Sequence, residues 1–113
     1  MSPLTYDDFR QVDMRVGRIV AAEDFPEARK PAYKLMIDFG PEIGTKRSSA
    51  QIIARHTKED LIGRLVVCVV NFPPKQIGPF LSECLTMGVD DEQGRVTLLG
   101  FPDGDVPLGS RVY

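Results

Sequence analysis

The chain has 113 residues, the length of one domain that buries its own core, so we expect a single domain spanning residues 1–113. Two cysteines, Cys68 and Cys84, and one histidine match neither a zinc site nor a disulfide framework, so we expect reduced, structural cysteines and no metal or cofactor. The acidic N-terminus lacks a signal pattern, and no apolar run approaches the roughly 20 residues that span a bilayer, which predicts a cytoplasmic chain without membrane insertion.

Charge is unevenly distributed along the sequence. The formal net charge is −2, which argues against nucleic-acid binding. Between Arg29 and Lys75, however, there are nine basic residues and only four acidic ones. Because binding responds to the local field more than to total charge, this segment favours a basic face on an acidic protein. An ordinary solvated surface is the alternative, since nearness in sequence does not establish clustering in space.

The first part of the chain predicts a short helix and two strands. Residues 5–8 read TYDD, a Thr-x-x-Asp pattern typical of a capping box, so a helix is expected over residues 6–11. Residues 14–25 are strand-like, and Gly17 within them indicates a bulge. Residues 33–40 alternate apolar and polar side chains, which predicts a strand with one face in the core.

The remainder predicts further strands around one more helix. A polar turn leads to a third strand expected over residues 49–54, and TKEDLIG at residues 57–63 carries the start and stop marks of a short helix. Extended segments are then expected over residues 64–70, 80–89 and 95–101. This order predicts an all-β protein with an OB-fold, a five-stranded Greek-key barrel with a short helix between strands three and four. A β-sandwich has similar strand content but no reason for that helix.

The segment after the most apolar strand reads NFPPKQIGPFLSECLTM, residues 71–87. Pro73 and Pro74 lack N–H donors, so strand pairing is expected to stop there and Lys75 to project from a stiff loop. A regular pleat then separates two sets of side chains, and either set can face solvent. The sets are Phe80, Ser82 and Cys84 on one face, and Leu81, Glu83 and Leu85 on the other.

Two segments resemble the tRNA-binding-domain family, and the similarity covers essentially the whole chain. They are VDMRVGRIVAAEDFPEARKPAYKLMIDFG at residues 12–40 and NFPPKQIGPFLSECLTMG at residues 71–88. Within that family the chain is most similar to a stand-alone, homodimeric branch of secretion chaperones. The wider family usually has methionine where this chain has Leu85, which favours the chaperone branch over strong tRNA recognition.

One hypothesis is therefore a module that binds tRNA or another structured RNA by its shape. The resemblance implies that Asn71, Lys75 and Ser82 lie on the RNA-binding face. Basic residues elsewhere in the middle of the chain are further candidates for phosphate contacts, namely Lys34, Lys46 and Arg47. Only Phe72 and Phe80 are well placed to stack on bases, so we expect weak, salt-dependent binding.

The other hypothesis is an export-related molecular chaperone that binds unfolded or pre-secretory polypeptides and contacts the protein-export machinery. An exposed apolar patch on a soluble protein usually marks a partner site. The predicted patch consists of Phe80, Leu81 and Leu85, and the alternative is that these residues pack a dimer.

Both hypotheses include a homodimer formed by N- and C-terminal extensions of the barrel. These extensions carry apolar residues that the barrel strands do not need, and two-fold pairing is the commonest way to cover them. The predicted interface residues are Leu4, Phe9, Phe101, Leu108, Val112 and Tyr113.

An enzyme is not expected. Ser82 lies in no Gly-x-Ser-x-Gly turn, and His56 is the single histidine that could serve as a base. His56 precedes the second predicted helix, where a structural or exposed imidazole is the simpler interpretation.

Overall fold

A curled antiparallel sheet forms the body of the molecule. The computed structural model describes residues 2–113. In chain order the elements are α1 (Tyr6–Arg10), β1 (Met14–Asp24), β2 (Tyr33–Asp38), β3 (Thr45–Ala50), α2 (Lys58–Leu61), β4 (Leu65–Val69), β5 (Lys75–Ile77), β6 (Phe80–Ser82), β7 (Leu85–Thr86), β8 (Gly88–Asp90) and β9 (Val96–Leu98). Five strands pair in the order β3-β2-β1-β4-β7, and β5–β6 and β8–β9 form two hairpins. The OB-fold prediction of a nearly closed five-stranded barrel is confirmed.

The barrel interior explains the apolar patterns in the sequence. Alternate residues of β2, Tyr33, Leu35 and Ile37, are buried in the main core, as their period of two predicts. All of β4 is buried because its second face is covered by half-buried apolar side chains from outside the barrel, including Phe9 and Phe101. Helix α2 lies between β3 and β4 and buries Leu61 completely.

Both predicted helix starts are present. The Thr5 hydroxyl accepts a hydrogen bond from the Asp8 N–H at 3.1 Å, and the Thr57 hydroxyl accepts one from the Asp60 N–H at 3.1 Å. Each cap satisfies a backbone donor that has no partner within the helix, which lets very short helices form. Gly63 follows α2 with φ +87°, a conformation that glycine adopts without strain.

The predicted bulge at Gly17 is wrong. Gly17 pairs regularly with Val66, and the bulge in β1 lies between Ile19 and Ala21, where the register with β2 shifts. Glycine is needed at position 17 for close packing instead. A Cβ atom there would lie 2.5 Å from Ile37 Cγ2 and 2.7 Å from Phe39 Cε1, inside van der Waals contact.

Three strand boundaries also differ from prediction. Strand β3 begins at Thr45 and ends at Ala50, rather than spanning residues 49–54, because polar side chains such as those of Lys46 and Arg47 can occupy an outward face of a sheet. Residues 80–89 form three short strands, not one, because the chain bends at Cys84. Lys75 begins β5 and pairs with Ser82, so it is not in a loop.

A C-terminal segment completes the second edge of β1. The Gly109 N–H donates to the Val16 carbonyl at 2.8 Å, Val16 N–H to the Ser110 carbonyl at 3.0 Å, and Val112 N–H to the Met14 carbonyl at 2.9 Å. This ladder occupies the side of β1 opposite β4, before β2 pairs with the rest of the strand. Each half of β1 is therefore bonded to other segments of the chain, and residues 14–16 are bonded on both sides.

His56 is a buried structural residue. It is 6% exposed, and its carbonyl accepts a hydrogen bond from the Tyr33 hydroxyl at 3.0 Å. Its Nδ1 lies 3.3 Å from Arg64 Nη1, and Nε2 has no protein partner within residues 2–113. Burial, followed by the positive charges of Arg64 and Arg55, lowers the pKa of His56 below its ordinary value, against an opposing effect of Asp60.

This shift makes stability depend on pH. Because the folded pKa is lowered, the unfolded chain takes up a proton below about pH 6.5 while the folded chain resists it. We expect the free energy of unfolding to be at its full value above that pH and to decline as pH falls below it. Urea unfolding of the wild type and His56→Gln between pH 7.5 and 5 checks this, and the variant should show the flatter curve. Parallel curves would contradict the assignment.

Candidate ligand-binding groove

The barrel is closed between β3 and residues 82–86 partly by side chains. The Glu83 N–H donates to the Arg47 carbonyl at 2.7 Å, and the Arg47 N–H donates to Glu83 Oε1 at 3.0 Å. The Ser49 N–H donates to Ser82 Oγ at 3.1 Å. A carboxylate and a hydroxyl thus stand where a regular ladder would supply backbone carbonyls. We call this closure, formed by Arg47, Ser49, Ser82 and Glu83, the seam.

Polar atoms also support the seam from inside the barrel. Ser48 is fully buried, and its hydroxyl donates to the Cys84 carbonyl at 3.1 Å and lies 2.8 Å from Thr86 Oγ1. Both cysteines are free and buried, which confirms the prediction of structural cysteines. A hydrogen bond with the Cys84 thiol, together with burial, raises the pKa of the Cys68 thiol, so Cys68 is protonated at neutral pH.

The seam contains an ion pair between the Glu83 carboxylate and the Arg47 guanidinium. Burial opposes ionisation of Glu83, but hydrogen bonds from Arg47 and the positive charges of Arg47 and Lys46 outweigh it and lower its pKa. Glu83 is therefore ionised at neutral pH. Its Oε1 lies 3.3 Å from Arg47 Nε, while the Arg47 guanidinium also sits 5.6 Å above the Phe80 ring centre. Arg47 is thus already held by two internal partners.

A groove of about 570 Å³ opens beside the seam. It is lined by Ser49, Gln51, Phe72, Pro73, Lys75, Ile77, Ser82, Glu83, Cys84 and Leu85. A second space of about 360 Å³ adjoins it and shares Ser49, Gln51 and Leu85 with it. Residues from the end of β3, the loop after β4, the β5–β6 hairpin and β7 therefore form one continuous depression. The sequence did not reveal Ser49, Gln51 or Glu83 as part of it.

The apolar residues of the groove differ in part from the predicted patch. Leu85 is 50% exposed and Phe72 54% exposed, so both offer apolar surface to a ligand. The expectation that Phe80 is exposed is wrong, since only 9% of it is accessible. Its ring packs edge-on against Phe25 at 5.3 Å in a small cluster with Ala32. Leu81 is half-buried.

The basic side chains predicted to contact phosphate differ in whether an acidic side chain of the same chain already pairs with them. Lys75 lines the groove and, like Lys46, makes no salt bridge within residues 2–113. Lys34 lies 3.8 Å from Glu23 and above the Phe25 ring. Arg47 is paired with Glu83. Among these predicted phosphate contacts, Lys75 is therefore the one that lines the groove and has no acidic partner within residues 2–113.

Asn71 and Ser82 have internal partners. The Asn71 side-chain oxygen accepts from the Asp13 N–H at 3.0 Å, and its amide nitrogen donates to the Gln11 carbonyl at 2.7 Å. Asn71 therefore fastens the segment after α1 to the end of β4. Ser82 accepts a backbone hydrogen bond in the seam. Both side chains therefore make contacts within the chain that do not depend on a ligand.

Some of the predicted dimer residues pack against the barrel of their own chain, and others are exposed to solvent. Phe9, Phe101 and Val112 are half-buried against Met14, Val67 and Val69 of the same chain. Leu4 and Tyr113 are exposed, and Leu108 is half-buried. No cluster of metal-ligating side chains is found among residues 2–113, and none of the helices described there has the length and hydropathy to span a bilayer.

Known proteins are similar to this chain in both sequence and architecture. The family described as "Putative tRNA binding domain" matches residues 14–111. Chaperone CsaA from Bacillus anthracis is 47% identical, with 99% of this chain and 100% of that chain covered and a TM-score of 0.90. The CsaA chaperone protein from Picrophilus torridus is 50% identical, with coverage of 98% and 100% and a TM-score of 0.89.

The similarity extends to part of a much longer protein. A methionine–tRNA ligase from Methanocaldococcus jannaschii is 36% identical over 113 residues, which is 99% of this chain but only 17% of the ligase. The structural neighbours of matching length confirm the resemblance to the chaperone branch. With the family match covering nearly all of its residues, the chain belongs to the tRNA-binding-domain family.

Proposed function

We propose that this chain is an export-related chaperone whose groove binds unfolded or pre-secretory polypeptides. The observation that carries the proposal is the half-exposed pair Phe72 and Leu85, which the loop after β4 and strand β7 contribute to the lining of one open groove. Ile77 and Pro73 extend the apolar wall. The two structures of CsaA chaperones at 47% and 50% identity support this assignment.

The groove suits weak, reversible binding of apolar segments. Fully burying an exposed aliphatic or aromatic side chain contributes about 1.5–3 kcal/mol, and Phe72 and Leu85 are already partly covered. Contacts of this size favour unfolded chains, which expose apolar side chains, over folded ones, which do not. The chain itself then acts by binding, without catalysis, and we place it in the cytoplasm, where it would deliver clients to the export machinery.

Suppression of client aggregation tests this proposal. At a stoichiometric ratio, the chain should reduce light scattering from a heat-denatured client protein. Unchanged scattering would refute the chaperone role. Crosslinking of the chain to export components in a cell lysate, and fractionation of cells, would test the partner and the compartment.

RNA is a second candidate ligand, favoured by the family match and by Lys75 on the groove wall, which pairs with no acidic side chain in the described part of the chain. An ammonium group without an internal partner can neutralise a phosphate and release a counterion. Retention of structured RNA on a filter at about 50 mM salt tests this, since electrostatic binding is strongest at low salt. No retention would exclude RNA binding through this face.

Lys75→Ala and Leu85→Ser should separate the two ligand classes. Lys75→Ala should lower the salt dependence of RNA binding by about one ion, because it removes one phosphate contact. Leu85→Ser should weaken binding of an apolar client by roughly 1–2 kcal/mol, because it removes half-exposed apolar surface. Titrations of each variant with RNA and with client measure both effects.

A melting curve of each variant serves as the control for this pair. Because Lys75 and Leu85 are exposed, neither substitution should shift the melting temperature appreciably. If both substitutions impaired both activities equally at unchanged stability, RNA and polypeptide would share one surface and the division proposed here would be wrong.

We further propose that the chain forms a two-fold dimer through its terminal segments. The half-buried Phe101 and Val112 and the exposed Leu4 and Tyr113 supply apolar surface there, and closed two-fold pairing would cover it. Light scattering at micromolar concentration should give twice the 12.6 kDa of one chain. A mass of one chain would refute the dimer.

A further inference from the structure

The outer edge of β3 carries backbone groups that the seam leaves unpaired. Arg47 turns its N–H and carbonyl away from β2 and toward Glu83, and Ser49 turns its N–H toward Ser82. Because backbone orientation repeats every two residues along a strand, the Ser49 carbonyl and the Gln51 N–H lie on this same edge. Within residues 2–113 neither has a hydrogen-bond partner. The edge is therefore closed up to the Ser49 N–H and open beyond it.

The space along this open edge carries no charge. Its lining consists of Ser49–Ile52, Leu85–Gly88 and Val96, none of which has an ionisable side chain. A polypeptide backbone is also uncharged, whereas a nucleic acid carries one negative charge per nucleotide and no amide N–H along its phosphate chain. The charge and the hydrogen-bonding groups of this space therefore match an extended polypeptide.

Another free edge near the groove, that of β5, is protected against strand addition. Strand β5 pairs only with β6, so its outer edge is open. Pro73 and Pro74 precede it directly, and Lys75 lies on it. Proline and lysine are the residues that proteins use to block unwanted pairing at an edge. No such residue stands at Ser49, Ala50 or Gln51.

We propose that a client segment binds as an added β-strand along Ser49–Gln51, an inference that rests on the polypeptide-binding function proposed above. One client N–H donates to the Ser49 carbonyl and one client carbonyl accepts from the Gln51 N–H. Alternate client side chains then face Leu85, whose half-exposed side chain borders both parts of the groove. Main-chain hydrogen bonds do not depend on client sequence, which suits a chaperone that serves many clients.

Backbone N-methylation of a peptide tests this mode on the wild-type protein. The probe is a fluorescein-labelled ten-residue peptide of alternating leucine and serine, compared with two versions that are N-methylated at odd or at even positions. An added strand presents alternate N–H groups to the edge, so one methylated version should bind at least fivefold more weakly than the other, as loss of a hydrogen bond predicts.

A pair of protein variants gives a second measurement. Gln51→Pro removes the N–H at the edge, while Gln51→Ala removes only the side chain. Because the Gln51 N–H has no partner among residues 2–113, proline costs no hydrogen bond within that part of the chain. We expect Gln51→Pro to bind the unmethylated probe at least threefold more weakly than Gln51→Ala does, as loss of one hydrogen bond predicts. If Gln51→Pro does not fold, the methylated peptides decide alone.

The outcomes distinguish this inference from the function on which it rests. If the unmethylated probe binds but the two methylated versions bind equally, strand addition is overturned while polypeptide binding stands. If the unmethylated probe does not bind the wild type at all, the polypeptide-binding function fails as well.

Discussion

Replacing Gly17 with alanine is expected to lower the free energy of unfolding by about 2–3 kcal/mol, the upper range for overpacking a core. The added Cβ would lie 2.5 Å from Ile37 Cγ2 and 2.7 Å from Phe39 Cε1. Both side chains are completely enclosed in the main core, so neither can move aside without displacing others. Urea unfolding monitored by circular dichroism measures the difference between variant and wild type.

Gly100→Ala is the matched control for Gly17→Ala. A Cβ at position 100 would meet no atom of residues 2–113 within 4 Å, and Gly100 does not have a positive φ. We expect a change of at most about 0.5 kcal/mol, as for an ordinary surface substitution. Equal effects at both positions would show that chain entropy and not packing governs Gly17.

Replacing Glu83 with alanine is expected to lower the free energy of unfolding by about 1–3 kcal/mol, because it leaves the Arg47 N–H without its acceptor in a half-buried seam. Glu83→Gln should restore most of this loss, since its amide oxygen can accept the same bond. The same urea experiment compares the three proteins. A Gln variant as unstable as the Ala variant would mean that charge, and not the hydrogen bond, closes the barrel.

Glu83 should also affect how the free energy of unfolding changes with pH in acid. The pKa of Glu83 is lowered in the folded chain, so its stabilising contribution is present above its ordinary value of 4.5 and is lost as pH falls below that value. Glu83→Gln should therefore remove part of the wild type's loss of stability in acid. This follows from the sign of the shift and separates Glu83 from His56, whose effect begins at higher pH.

Elements with strong local signals were predictable from sequence. The alternation in β2 and the threonine caps of both helices reflect interactions between residues close in sequence, so their patterns are visible without a structure. Strand β3 was partly missed because its core is polar: Ser48 is buried with a hydroxyl bonded to Thr86 and Cys84, which are distant in sequence. The polar residues of this segment predicted a turn from local sequence, whereas hydrogen bonds to residues distant in sequence stabilise a strand.

The groove was predictable only in part for the same reason. Lys75 and Leu85 were singled out in the sequence as candidates for different ligands, and both line the groove. Phe80 was misjudged because Phe25 and Ala32, which cover it, lie about fifty residues earlier in the chain. The roles of Glu83 and Asn71 depend on partners in β3 and near α1, and no spacing rule could reveal those partners.

The ladder between β1 and the C-terminal segment affects how the molecule reaches its native state. Residues 14–16 bond to residues 109–112, so the partners are separated by almost the entire sequence. The entropy lost on closing a loop grows with its length, and proteins rich in such distant contacts fold slowly. The β1–β2 and β2–β3 pairings join neighbours in sequence and can form early. We therefore expect residues 109–112 to pair with β1 in the last step of folding. Until then, one side of β1 is open to pairing with other chains.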